Sequence, residues 1–138
     1  MAGMDAHGGR TSSRALRAVV VVAAVGLIGS VLMAIAHAGV QIPLFSALGP
    51  GGGAAIPPAA AGFTVGAILY LVALVGLARR RPWAWALGLV VFALTLTSAA
   101  VPFRGVGSIA GILVGGIGLA LLLARPVRSS LLSREATS

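Results

Sequence analysis

Residues 16–38 read LRAVVVVAAVGLIGSVLMAIAHA, a stretch that is apolar all round a helix and shows no single apolar stripe. After Arg17 the next residue with a full charge at neutral pH is Arg79, so residues 18–78 are uncharged throughout. A surface helix of a water-soluble domain keeps a polar face. The sequence therefore excludes a water-soluble fold and predicts helices that lie in lipid.

The overall composition supports the same conclusion. Of the 138 residues, 59% are apolar before the 20 glycines are counted, and only 9% are charged. Soluble domains carry about 25% charged residues. A spanning helix needs about 20 apolar residues, so this length holds four spans, short connections and no second domain. The sequence contains no cysteine, which excludes disulfides and thiol chemistry.

Four apolar segments are predicted to be membrane-spanning helices, because backbone polar groups in lipid must be satisfied within their own segment. They cover about residues 16–38, 59–78, 82–101 and 105–124. The predicted fold is an all-α membrane protein, a four-transmembrane-helix bundle that forms one domain over residues 16–124. Cytoplasmic tails of residues 1–15 and 125–138 flank it.

The basic residues indicate the orientation of these spans. All ten are arginines, and nine of them fall in the three segments that share one side of the membrane if there are four crossings. Arg104 alone falls on the other side. The positive-inside rule then predicts that both termini are cytoplasmic in a multi-pass protein of the bacterial cell membrane. The expected anchors, with two tryptophans of an aromatic belt, are Arg14, Arg17, Arg79, Arg80, Arg81, Trp83, Trp85, Arg125 and Arg128.

The same arginines are expected to contact anionic lipid head groups at the cytoplasmic surface. This reading explains the net charge of +8 without a nucleic-acid partner.

The first span and the loop after it each have an alternative interpretation. Arg10 to Arg17, an apolar run and Ala36-His37-Ala38 resemble a signal peptide cleaved after Ala38. The apolar run exceeds the roughly 7–15 residues usual for such signals, which favours an uncleaved span.

The uncharged loop of residues 39–58 is interpreted as an interfacial segment, with a lid over an outward-facing site as the alternative.

Small residues recur at four-residue steps in two of the spans. Such steps leave a groove in which another helix backbone can approach closely in lipid. We predict helix packing there, either within the bundle or, through the fourth span, between copies of the chain. The glycines concerned are Gly62, Gly66, Gly107, Gly111, Gly115 and Gly118.

Hydroxyl side chains concentrate in the outer halves of the spans. Together with Arg104 they define a candidate outward-facing cavity, whose residues are Ser30, Thr64, Tyr70, Thr95, Ser98, Arg104 and Ser108. The alternative is that each serine or threonine bonds a carbonyl of its own preceding turn. Arg104 is expected to contact a lipid phosphate at the outer end of the third span. His37 is expected to be an interfacial residue, with a pH sensor or a metal ligand as the alternative.

The spans contain no aspartate or glutamate, so they offer no carboxylate to relay protons or to pair with a cationic substrate. Phosphate-binding loops, nucleophile elbows, metal-ligand spacings and paired carboxylates are also absent from the sequence. We therefore expect no enzymatic activity, no cofactor and no metal.

Residues 76–96, GLARRRPWAWALGLVVFALTL, and residues 111–132, GILVGGIGLALLLARPVRSSLL, carry a resemblance to a known group. They resemble the small, largely uncharacterised four-helix integral membrane proteins of actinobacteria. Those proteins often have an Arg-Pro-Trp-Ala turn after the second span, here residues 81–84, and an arginine-rich turn after the fourth. The resemblance implies the membrane and the fold, but no activity and no functional residue.

Two functions fit this sequence. The first is a non-enzymatic accessory or scaffold protein that packs through glycine-rich helix faces with itself or with a larger membrane partner. The second is a small channel or transporter subunit for a neutral or anionic solute, which would use the hydroxyl-lined outer cavity.

Overall fold

The computed structural model describes residues 5–41, 43, 55–101, 103 and 105–132, with side chains from residue 13 onward. Within these residues the chain is helical and contains no strand. Arg104 and most of the loop of residues 39–58 lie outside the described part.

Five helices follow one another in the described chain. They are α1 (Asp5–His37), α2 (Pro57–Ala78), α3 (Pro82–Ala100), α4 (Val106–Leu123) and α5 (Arg125–Leu132). Four of them contain segments long and apolar enough to cross a membrane: Ser13–His37, Pro57–Ala78, Pro82–Ala100 and Val106–Leu123. The shortest has 18 residues, or about 27 Å at the helical rise, close to the thickness of the hydrocarbon layer. The four spans predicted from the sequence are therefore present, and the chain is a multi-pass membrane protein.

Local sequence explains where the helices begin and end. Helices α2 and α3 begin at Pro57 and Pro82, where the missing N–H would have no intrahelical partner in any case. Helix α4 begins after Gly105, which has a positive φ of 78°. Glycine adopts this conformation without strain because it has no Cβ. It ends at Ala124, where the backbone becomes extended.

The long helices contact one another in chain order. Helix α1 packs most extensively on α2, and α3 on α4, while contacts between α2 and α3 and between α1 and α4 complete a ring. The short helix α5 contacts α1, α3 and α4.

The buried core lies mainly towards the end of the molecule that carries the arginines. Several of its apolar side chains are inaccessible to solvent because the four long helices and α5 all contribute to it. The members of this core are Leu16, Val19, Ala23, Tyr70, Leu77, Ala84, Val91, Phe92, Leu122, Val127 and Leu131. At the opposite end, residues 61–65 of α2 are exposed through more than a full helical turn.

Two segments assigned to the tails contain helix. Helix α1 begins at Asp5, well before the predicted span start at residue 16, and α5 occupies the first part of residues 125–138. In α5, Val127 and Leu131 are one turn apart and fully buried, whereas Arg125 and Arg128 are exposed. This amphipathic pattern explains why α5 folds against the spans.

Candidate functional site

The glycine face of α4 packs against α3 within the chain. A Cβ added at Gly115 would lie 2.7 Å from the backbone nitrogen of Leu96, and one at Gly111 would lie 2.6 Å from the Ala99 Cβ. A Cβ at Gly118 would overlap the ring of Phe92. These glycines thus allow a close approach of the two helices, as small residues do at helix contacts in lipid. This face of the fourth span is occupied by α3.

The other three predicted packing glycines have more room. Apart from the neighbouring backbone of its own helix, no described atom lies within 4 Å of the position that a Cβ would take at Gly62. At Gly66 and Gly107 the nearest atoms are the Ser30 Oγ and the Met33 Cε, both at 3.8 Å, which is ordinary van der Waals contact. Gly62 is also exposed, so within the described residues the outer end of α2 presents a small-residue position that no other helix covers.

Gly26, which is not among the predicted packing glycines, lies in the contact between α1 and α2. A Cβ at Gly26 would overlap the ring of Tyr70. Gly26 and Ser30 form a small-residue step of four, which is the pattern that could have identified this contact.

Tyr70 and Thr95 form a hydrogen-bonded pair between α2 and α3. Their hydroxyl oxygens lie 2.7 Å apart, and the Thr95 hydroxyl also donates to the Val91 carbonyl at 2.9 Å. Because a hydroxyl has one proton, Tyr70 is the donor to Thr95. The Tyr70 ring is 2% exposed and packs edge to face on Phe92, with 5.7 Å between the ring centroids.

The remaining hydroxyls of the candidate outer cavity take different positions. Thr64 donates to the Ala60 carbonyl and Ser98 to the Thr95 carbonyl, so both bond within their own helices, and both are exposed. Ser108 is buried, and Ser30 lies beside Gly66. Among the described side chains, no buried polar atom lacks a hydrogen-bond partner. Tyr70 and Thr95 are thus joined by a bond between two side chains of different helices, while Arg104 falls outside the described residues.

His37 connects the outer ends of α1 and α2. Its Nδ1 lies 2.8 Å from the Met33 carbonyl, which can only accept, so Nδ1 carries the proton. The imidazole lies over Phe63 with 5.0 Å between ring centroids, and the Ile56 N–H donates to the His37 carbonyl at 2.8 Å. Within the described part of the chain, no three His, Asp or Glu side chains come together as metal ligands would.

A cavity of about 410 Å³ lies at the arginine end, between the beginning of α1 and the end of α2. Apolar side chains form its walls, and two arginines lie among its lining residues. These residues are Ser13, Leu16, Arg17, Val20, Val21, Leu77, Ala78 and Arg80. The sequence predicts both arginines as separate topology anchors. It does not predict this cavity, because helical periodicity does not say which faces of two spans meet.

The turn that carries Arg80 has an unusual backbone. The N–H of Arg81 donates to the Gly76 carbonyl and the N–H of Arg80 donates to the Leu77 carbonyl, a pattern known as the Schellman motif. In this motif the residue at the position of Arg80 adopts a left-handed conformation, and Arg80 has a φ of 52°. Glycine is usual at this position, since other residues are disfavoured there by about 1–2 kcal/mol.

The other predicted anchors lie near the same end of the molecule. The Trp85 indole N–H donates to the Leu122 carbonyl at 3.0 Å, and the Arg128 guanidinium carbon lies 6.0 Å from the Trp85 ring centroid. Trp83 is half exposed. The described anchor arginines are all exposed: Arg14, Arg17, Arg79, Arg80, Arg81, Arg125 and Arg128.

Comparison of the chain with protein-family models, with curated protein sequences and with solved structures gave no match.

Proposed function

We propose that this chain is a non-enzymatic accessory or scaffold protein of the bacterial cell membrane. It spans the membrane as a four-helix bundle with both termini in the cytoplasm, and it packs through an outer helix face against a second copy or a larger membrane partner. The observation that carries the proposal is the contrast between Gly111, Gly115 and Gly118 of α4, which α3 covers, and Gly62 of α2, which no other described helix covers.

The interior of the molecule supports a packing role. Aromatic rings occupy the space that small residues leave: Tyr70 at Gly26 and Phe92 at Gly118. The described hydroxyls of Thr64, Ser98 and the Tyr70–Thr95 pair are bonded within the chain. The helices can therefore contact other molecules through their outer surface.

The outer face of α2 is the surface that best suits such packing. Val65, Ile68, Val72 and Val75 recur at alternating steps of three and four residues, and all are exposed. This spacing forms one continuous apolar ridge along a helix. Gly62 extends the ridge towards the outer end, where it lets a partner backbone approach.

Crosslinking of single cysteines tests this proposal, because the natural chain contains none. Ile68→Cys places a thiol on the α2 ridge, and Leu113→Cys places a matched thiol on the exposed side of α4. In native membranes treated with a thiol crosslinker, we expect a discrete crosslinked product from Ile68→Cys and little from Leu113→Cys. Equal and weak crosslinking of both variants would contradict a packing role for α2.

Solute flux distinguishes the scaffold from a channel. Reconstituted alone in liposomes, the chain should leave small neutral and anionic solutes trapped, and Thr95→Val should make no difference. If solute is released and the release depends on Thr95, the scaffold proposal is contradicted and the channel or transporter subunit is the better proposal.

A further inference from the structure

The cavity at the arginine end changes in polarity along its length. On α1, Ser13, Arg17 and Val21 are separated by one helical turn each, so they lie on one face, with Leu16 and Val20 beside them. The lining residues therefore change from polar to apolar over about 12 Å of helix. On α2 the order is matched, since apolar Leu77 and Ala78 precede Arg80 at the end of the span.

We propose that this cavity binds one anionic phospholipid of the cytoplasmic leaflet. Arg17 and Arg80 hold the phosphate at the rim, and the first part of an acyl chain lies along Val20, Val21 and Leu77. The proposal rests on the membrane placement given above, but not on the partner of α2. A volume of about 410 Å³ falls within the range of roughly 300–1,000 Å³ typical of small-molecule sites.

The positive charge of the arginines that line the cavity supports an anionic phospholipid as its ligand. Arg17 and Arg80 are both exposed, and the chain has only two acidic residues, Asp5 and Glu135, against ten arginines. Most of the negative charge near these arginines must therefore come from other molecules. Guanidinium groups bind phosphate oxygens in a two-pronged geometry. A head group without an amine suits the site better than ethanolamine or choline, whose positive charge would lie beside two guanidinium groups.

The backbone of Arg80 is unusual for an arginine. This residue occupies the left-handed position of the turn after α2, where glycine is usual. Arg80 lines the cavity together with Arg17 of α1. Its neighbours Arg79 and Arg81 are also exposed but do not line the cavity. They are the matched controls, because they change the net charge equally.

Native mass spectrometry of the full chain, released from vesicles of phosphatidylglycerol and phosphatidylcholine, tests the site. We expect one retained phosphatidylglycerol on the natural chain and on Arg79→Gln. Retention should fall at least tenfold in Arg17→Gln and in Arg80→Gly, which removes the guanidinium but keeps the turn. Ala78→Phe, which narrows the cavity without removing a charge, should lower retention as well. Unfolding temperatures of the variants, measured alongside, show that each has folded.

Three results would overturn the proposal. Equal retention of phosphatidylcholine would show that the site does not select anionic lipid. An equal loss in Arg79→Gln would show that the arginines act only through their summed charge. Displacement of the lipid by inorganic phosphate would show that the head group alone is bound and that the apolar walls take no part.

Discussion

Gly115 and Gly116 are neighbours in α4 with opposite surroundings. A Cβ at Gly115 would meet the backbone of Leu96, whereas a Cβ at Gly116 would meet no described atom outside the neighbouring backbone of its own helix. We therefore expect Gly115→Leu to destabilise the chain by about 1–3 kcal/mol, the usual range for overpacking. Gly116→Leu should not destabilise the chain, because its side chain meets no described neighbour and replacing a glycine inside a helix favours the helix by about 0.5–1 kcal/mol. Unfolding in detergent, followed by circular dichroism, measures both. Similar losses in the two variants would contradict the close contact between α3 and α4.

The hydrogen bond between Tyr70 and Thr95 is expected to contribute little to stability. Thr95 keeps its bond to the Val91 carbonyl when Tyr70 is replaced by phenylalanine. Hydrogen bonds between membrane helices average about 0.6 kcal/mol. A double-mutant cycle of Tyr70→Phe and Thr95→Val should return a coupling energy of that size. A coupling above about 2 kcal/mol would indicate a larger polar network around the pair.

Arg80 and Arg79 should respond in opposite ways to glycine. Arg80→Gly removes the cost of a left-handed arginine, and we expect a gain of at most about 1 kcal/mol, since glycine also gains freedom in the unfolded chain. Arg79 has an ordinary negative φ, so Arg79→Gly should lower the free energy of unfolding by about 0.5–1 kcal/mol. Unfolding measured in lipid-free detergent separates this backbone effect from any effect of bound lipid. A loss of stability in Arg80→Gly would contradict the strained turn.

At the scale of elements, α5 is the helix that the arginine pattern does not predict. Arg125 and Arg128 indicate a cytoplasmic segment, but they do not distinguish a solvated tail from a helix that packs on the spans. The four-residue step from Val127 to Leu131, both fully buried, was the pattern that could have done so.

Leu131 tests how much α5 contributes. Leu131→Ala removes a fully buried side chain from the contact of α5 with the spans, so we expect a loss of about 2–5 kcal/mol. Leu123→Ala is the matched control, because Leu123 is 61% exposed at the end of α4 and should matter little. Equal unfolding temperatures for the two variants would show that α5 is not part of the folded core.

The sequence predicted the positions of the spans well, because length and lack of charge are properties of each segment by itself. It could not tell which glycines are covered, since periodicity defines a face of one helix but not the neighbour on that face. Gly62 and Gly111 have similar sequence surroundings, yet one is open and the other lies against Ala99. The cavity between α1 and α2 escaped prediction for the same reason.

The whole molecule is packed unevenly along its long axis. Leu16, Leu77, Leu122 and Leu131 form a dense core near the arginine end, whereas residues 61–65 at the other end of α2 are exposed. Within the described residues, the arginine end thus holds the helices together.

The orientation of the molecule makes its own prediction. Nine of the ten arginines belong to segments on one side, so a reporter that is active only outside the cytoplasm should work when fused near Pro50 and fail when fused at Ser138. The reverse pattern would overturn the orientation, and activity at both positions would show that one of the three later spans does not cross the membrane.

The mass of the particle that the full chain forms in its native membrane tests the central claim most directly. Membranes are extracted into lipid nanodiscs by a polymer, without detergent, and the protein mass in each disc is measured for the natural chain, Gly62→Leu and Gly29→Leu. Gly29 is an open glycine on α1 and serves as the control. We predict one complex of fixed stoichiometry for the natural chain and for Gly29→Leu, and a single chain for Gly62→Leu. A single chain in every sample would contradict the scaffold.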